Sequence, residues 1–480
     1  MAIYRKLIWI FLLAFAARVA VRCYSGASDF WINGYTFFFT LAQNIAAGNG
    51  YTLDSVHATA FRVPLYPLFL AGVTFGRQLF FPIVVAQSLV GVGTVWCAAM
   101  LAREIFGNTA AIIAASLTAI YPYYVVHDTA LQETSLYTFL IALAVLLLLR
   151  VRRSGSVVTA TGAGLALGAA VLTRANLAPF ALFAPLWLVL FGDSLAAPWR
   201  RRLWVAVLCA GVAGLTVSPW VFRAYRLTGS ATLSTQTGFF LWQGNNPYTF
   251  SHYPQESIDR SQAAALAALS LQDETELNAR RSNEAAVDQW FRKKGLDYIR
   301  EHPWQTLVNG VRKVTDAFGW PLSPRHSFWP NLVQSLSYGP VMILGLWGMW
   351  ASRSHWREHS IFYAQFVAFA VVTAVFVGHT SYRAYLDVYW IVFAAGVLAE
   401  ADSARWFRMK RSRSRAGADK AIVRQNTLAD QESSIINHAT VPLITSMFFS
   451  TPVGSKDLVF DRVDLHPSEA AALGDCSGCR

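Results

Sequence analysis

Charge is scarce in this 480-residue chain: Asp, Glu, Lys and Arg make up 14% of it, against 54% hydrophobic residues. A soluble protein carries about a quarter charged residues, so an ordinary soluble domain is excluded. Acidic residues are the scarcer sign, 28 against 40 Lys and Arg, which leaves a net charge of +12. That balance can signal nucleic acid, but here the basic residues sit between long apolar runs, as cytoplasmic loops of a membrane protein do, and no nucleic-acid partner is expected. Five Cys exclude a disulfide scaffold. Cys97 and Cys209 fall inside apolar runs and read as packed thiols, and Cys476-Ser-Gly-Cys479 lacks the second pair of a zinc site. No repeat of fixed period is found, and no cluster with metal-ligand spacing. No small-residue cleavage site follows the first apolar run, so a retained span is expected there.

Aromatic residues and long apolar runs are abundant. Seventeen Trp, eighteen Tyr and thirty-two Phe suit a chain with many membrane interfaces. Runs approaching the roughly 20 residues that cross a bilayer lie near 7–22, 80–102, 109–127, 132–149, 157–173, 175–192, 203–221, 331–351, 360–378 and 384–400. Arg5, Lys6, Arg103, Arg150, Arg152, Arg153, Arg200 to Arg202, Arg353, Arg357 and the cluster Arg405 to Arg415 then all fall on one side. By the positive-inside rule that side is cytoplasmic, with both termini. The expected fold is an all-α polytopic membrane protein of about ten transmembrane helices in a bacterial inner membrane. Its membrane domain covers 1–400, and 401–480 reads as a basic, then polar, disordered cytoplasmic tail. The long outer loops are 23–79 and 222–330. Residues 35–47 of the first (YTFFFTLAQNIAA) predict an interfacial helix, and 261–301 of the second have helical spacing.

Ionisable groups at membrane depth are expensive and mark candidate sites. The topology gathers Asp29, Arg62, His127, Asp128, Glu133, Arg174, Arg223, His379 and Arg383 at the outer face. Any one of them could equally cap a helix or anchor at headgroups. Glu133, opening an apolar helix in QETSLYTFLIALAV, is open to both readings, because the helix dipole favours a carboxylate there. Arg62, just before Pro64 and Pro67 in AFRVPLYPLFLAG, presents a fork suited to phosphate. A carboxylate to take an acceptor proton beside a guanidinium for an anionic lipid phosphate is the chemistry of moving a group off a lipid carrier.

In order along residues 5–400, LAQNIAAGNGY (41–51), TAFRVPLYPLFLAG (59–72), YPYY (121–124), LQETSLYTFL (131–140), LTRANLAPF (172–180), SPWVFRAYRLTG (218–229), GFFLWQGNNP (238–247), IREHPW (299–304) and HTSYRAYLDVYWIVFAAG (379–396) resemble the C-type glycosyltransferases that use lipid-phosphate sugars. The resemblance is to bacterial relatives of protein O-mannosyltransferases and of the aminoarabinose lipid A transferase. It implies inverting transfer of a sugar from a polyprenyl-phosphate donor to a lipid, glycan or protein acceptor outside the cytoplasm. It assigns the carrier phosphate to Arg62 and Arg383, and the active site to Glu133. His127, Asp128, Arg174 and Asn245 are expected to bind substrate. Where the family carries its usual Asp base, this chain has Gly34. Either Asp29 serves in its place or the base is missing. Asp29 and Glu133 are therefore the catalytic candidates. Some C-type enzymes use a divalent metal; no other cofactor is implied. The alternatives are a lipid-linked-sugar flippase and an inactive lipid-sugar-binding relative.

Overall fold

The computed structural model describes residues 2–192, 198–322 and 327–401. The expected tail, Cys476 and Cys479 included, lies outside them apart from Ala401.

The chain is all-α, with no strand among the described residues; a single bridge pairs Thr52 with Ala58. In chain order the helices are α1 (Ala2–Ile32), α2 (Thr36–Ala46), α3 (Leu65–Thr74), α4 (Phe80–Phe106), α5 (Asn108–Ile120) and α6 (Pro122–His127). Then come α7 (Thr134–Ser154), α8 (Val157–Thr173), α9 (Ala178–Phe191) and α10 (Trp199–Thr228). The second long loop holds α11 (Thr237–Gly244), α12 (Ile258–Ala267), α13 (Leu271–Asn278), α14 (Glu284–Glu301) and α15 (Pro303–Phe318). The bundle closes with α16 (Phe328–Ala351), α17 (Trp356–Val375) and α18 (Thr380–Ala401), the last opened by the 3-10 turn Thr380–Arg383.

Among the described residues seven helices are long and apolar enough to cross a bilayer: α1, α4, α7, α10, α16, α17 and α18. The other three expected spans are shorter. The run 109–127 divides where Pro122 opens α6, because proline has no N–H to continue the ladder of α5. The expected pair 157–173 and 175–192 appears as α8 and α9, of 17 and 14 residues. The interfacial helix expected at 35–47 is α2. Helix α3, apolar and ten residues long, arises where only a Pro-punctuated loop was expected.

The bundle has two chemically different ends. At one, Arg150 and Arg153 bind Glu104 at 2.7 and 3.4 Å, and Arg153 also pairs with Glu358. At this end Arg103 donates to the Tyr4 hydroxyl, Arg152 to Phe191 O, and Arg201 to Gly155 O. The loops read from sequence as sharing one side thus meet there. Arg152 and Arg153 also fill the last turn of α7 before Gly155, whose φ of 60° closes the helix in the left-handed region. Between the ends, small residues bring helices close. A Cβ on Gly164 would lie 2.5 Å from Cys209 O, and one on Gly168 2.6 Å from Thr216 Cβ, so α8 meets α10 backbone to backbone.

At the other end the two long loops form one layer. Arg223, on the last turns of α10, donates to Thr59 O at 2.8 Å and Tyr51 O at 3.3 Å and stacks on Tyr51 and Trp220. Glu284, opening α14, accepts from Ala60 N at 3.1 Å and Thr235 Oγ1 at 2.9 Å, and also from Thr59 Oγ1. Buried Lys313 of α15 donates to Gly244 O and Phe376 O, both at 3.0 Å, joining the C-terminal carbonyls of α11 and α17. Burial pushes its pKa down to about 8. Reporters fused after Arg153 and after Asn246 should fall on opposite sides of the membrane; the same side for both would contradict this arrangement.

Candidate functional site

Several side chains converge under the layer of outer loops. Glu133 is the N-cap of α7, yet its side chain makes no capping hydrogen bond. Its Oε1 lies 3.7 Å from Arg174 Nη1 instead. The carboxylate thus faces a cation and does not cap the helix. Arg174 follows the end of α8 in extended backbone (φ −150°, ψ 108°), so the break between α8 and α9 throws its side chain toward Glu133. The guanidinium sits between the rings of Tyr137 and Tyr382, 4.8 and 4.5 Å from their centroids.

Arg62 faces the same space. The extended segment before α3 carries it, and the rings of Phe37, Phe61 and Phe240 surround it at 5.5, 5.3 and 5.0 Å. Its Nε is buried without a hydrogen-bond partner, and no ion pair closes on it among the described residues. Burial lowers its proton affinity and Glu133 raises it, but a guanidinium stays charged under either influence. The charge of Glu133 reaches Arg62, Arg174, Tyr35 and Tyr382, so these groups lie in one neighbourhood. The charge of Asp259, in the first turn of α12, acts on Tyr35 and Tyr382.

The other expected site residues are engaged elsewhere. Asp29, past the Gly26 kink of α1, gives Oδ2 to Arg22 Nη1 at 2.8 Å and Oδ1 to Asn33 Nδ2 at 2.7 Å, with 42% of its side chain exposed. Asp128 is wholly buried with Arg18, Nε to Oδ2 at 2.8 Å, and Arg18 also donates to Ala14 O and Ala119 O. Gly91 makes room for that pair, since a Cβ there would lie 2.5 Å from Arg18 Nε. His127 stacks on Tyr123 with centroids 4.2 Å apart, and its Nδ1 lies 3.2 Å from Gln132 Nε2. Buried Arg383 lies 3.4 Å over the Tyr338 ring and 3.6 Å from Asp387, and it donates to Ala317 O. Asn245 donates to Leu241 O and Val375 O at 2.8 and 2.7 Å, pinning α11 to the end of α17. His379 contacts Ser381 at the start of α18.

At Gly34, where the resemblance puts the family's acidic residue, a Cβ would lie 2.5 Å from both Leu131 Cβ and Phe30 O. Any side chain there would displace the loop before α7, so the departure is built into the packing. Tyr35, Tyr137, Tyr382 and the three Phe around Arg62 were not singled out from sequence. Nothing separates them there from the chain's many interfacial aromatics. Asp259 reads as an ordinary acid in a first helical turn. Among the described residues no group of three or more His, Cys, Asp and Glu gathers to hold a metal.

This architecture is similar in fold to an archaeal oligosaccharyltransferase of known structure. It matches AglB, the archaeal oligosaccharyltransferase from Archaeoglobus fulgidus in complex with an inhibitory peptide and a dolichol-phosphate, at a TM-score of 0.51 and 16% identity, over 86% of this chain and 52% of that one. The apo form of that enzyme aligns at a TM-score of 0.51 and 17% identity over 85% and 52%. The chain therefore spans about half the length of these enzymes. ArnT from Cupriavidus metallidurans, bound to undecaprenyl phosphate, aligns at 14% identity over 76% of this chain and 73% of its own, with a TM-score of only 0.33. Within the chain, residues 62–222 match the family described as dolichyl-phosphate-mannose-protein mannosyltransferase. No curated protein matches by sequence.

The buried Arg18–Asp128 pair generates a stability expectation. Asp128→Ala strands a buried guanidinium and should cost about 3–5 kcal/mol, whereas Arg18→Met with Asp128→Leu should recover most of it. Thermal unfolding in detergent measures both; an unaltered single variant would contradict the pairing.

Proposed function

We propose that this protein transfers a sugar from a polyprenyl-phosphate donor to a hydroxyl of a lipid, glycan or protein acceptor. The reaction takes place on the non-cytoplasmic face of a bacterial inner membrane, with both termini in the cytoplasm. The observation that carries the proposal is Arg62: a half-buried guanidinium with an unpartnered Nε, caged by three Phe rings in one neighbourhood with Glu133. A buried donor of this kind calls for an anion, and a guanidinium fork fits phosphate oxygens. The family matched by residues 62–222 is named for a lipid-phosphate sugar donor, which agrees with this reading.

The reaction follows from these groups. Glu133 takes the proton of the acceptor hydroxyl as its oxygen attacks the anomeric carbon. The bond from that carbon to the phosphate oxygen breaks, the configuration inverts, and both electrons leave with the lipid phosphate. Arg62 stabilises the charge gathering on that phosphate. The proton on Glu133 returns to water once the phosphate departs.

Glu133→Gln should lower transfer of a radiolabelled polyprenyl-phosphate sugar by about 10²–10⁴-fold, the usual worth of a positioned base, with donor binding retained. Asp29→Asn is the companion variant. If it abolishes transfer and Glu133→Gln does not, Asp29 is the base. If neither matters in an active preparation, the carboxylate mechanism is wrong. Arg62→Ala should weaken donor use more than Arg62→Lys, which keeps the charge but loses the fork; equal turnover in both variants and wild type would reduce Arg62 to an anchor. A second reading, a lipid-sugar-binding relative without transferase activity, draws on Gly34, and it gains if wild type binds donor but transfers nothing.

A further inference from the structure

The neighbours of Arg174 are Glu133 and Tyr137, the N-cap and first turn of α7, and Tyr382, in the turn that opens α18. Tyr137 lies four residues after Glu133, one turn along the same face of α7. Its hydroxyl donates to Ser381 O at 3.1 Å, which fastens α7 to the turn that carries Tyr382. The guanidinium lies over both rings, 4.8 and 4.5 Å from their centroids. The Arg174 and Glu133 side chains are only 15% and 16% exposed, so water screens their 3.7 Å contact weakly. The groups within electrostatic reach of Glu133 are two cations, Arg62 and Arg174, and four neutral phenols, Tyr35, Tyr66, Tyr137 and Tyr382. Of the two cations, only Arg174 is in ion-pair contact with it.

We infer that Arg174 is a positioning residue: held over the rings of Tyr137 and Tyr382, it fixes the direction of the Glu133 carboxylate through their contact and leaves the donor phosphate to Arg62. The inference rests on the reading of Glu133 as the base. It explains why this cation is held over rings while Arg62 has a polar atom to spare.

The test is an infrared titration of Glu133 in the full-length protein in detergent. The carboxyl band is assigned by its loss in Glu133→Gln, and wild type is compared with Arg174→Gln and Arg174→Lys. Removing the neighbouring charge should raise the midpoint in Arg174→Gln, and Arg174→Lys, which keeps the charge, should stay near wild type. In the transfer assay the acid limb of the pH–rate profile should move up with it. At neutral pH kcat should fall about tenfold or more because the carboxylate loses its direction, while the donor KM changes less than about threefold. A midpoint that does not move in Arg174→Gln overturns the inference, and so does a loss confined to donor KM, which would make Arg174 a phosphate ligand. The band can be read whether or not transfer is detected. A shifted midpoint together with an active Glu133→Gln enzyme would sink the base assignment while leaving the pairing intact. If Arg174→Gln unfolds, Arg174→Lys carries the test: a raised midpoint in Arg174→Lys would contradict a role resting on charge.

Discussion

A charge surrounded by hydrocarbon has to find its counter-charge inside the protein, and the polar end of this bundle is organised by that requirement. Arg18 and Asp128 satisfy it in full burial, tying α1 to the loop before α7. Arg22, one turn further along α1, reaches Val126 O, Thr129 Oγ1 and Asp29. Together the two arginines fix residues 126–129, and with them the start of α7 where Glu133 stands. Arg383 and Asp387 repeat the device on α18, where Asp387 also accepts from the Tyr121 hydroxyl at 3.0 Å. Most of the charge at this end is thus spent on holding helices in register.

Arg18 and Arg383 also leave a buried guanidinium nitrogen without a hydrogen-bond partner, but each has a carboxylate beside it; Arg62 has no ion pair among the described residues, and the proposed function rests on it. Three aromatic rings desolvate it, its neighbours leave its Nε unpartnered, and the carboxylate that shares its neighbourhood is held by Arg174. The outer loops make this possible. Arg223 and Glu284 fasten the segment just before Arg62 to α10 and α14, so the guanidinium is presented by a braced backbone although it lies in a loop. Preorganisation of this kind is what electrostatic stabilisation of a leaving phosphate needs, because the donor does not have to move as charge develops.

The membrane architecture was legible because its signal is long and redundant: apolar runs and basic loops alternate in phase, and Glu104, Arg150, Arg153 and Glu358 meet at one end as that alternation requires. The division of 109–127 was less visible, although Pro122 stood in the run. The site was legible only in part. Glu133, Arg62 and Arg174 come together, but which charged residues pair with which is a three-dimensional property that hydropathy does not encode. Asp128, Arg383 and Asn245 look like the others in sequence, yet they go to Arg18, to Asp387 and Ala317 O, and to the α11–α17 junction. The Phe cage of Arg62 draws on residues 37, 61 and 240, a convergence that no local pattern announces.

The central claim is that the space between Arg62 and Glu133 receives the phosphate of a lipid carrier. A structure of the protein in nanodiscs with a bound polyprenyl phosphate tests it most directly. The account predicts phosphate density within hydrogen-bond distance of the Arg62 guanidinium, on the same side of the Phe37, Phe61 and Phe240 cage as Glu133. Phosphate bound instead at the opposite end, beside Arg150, Arg152 and Arg153, or an Arg62 left without an anion at saturating carrier, would contradict it.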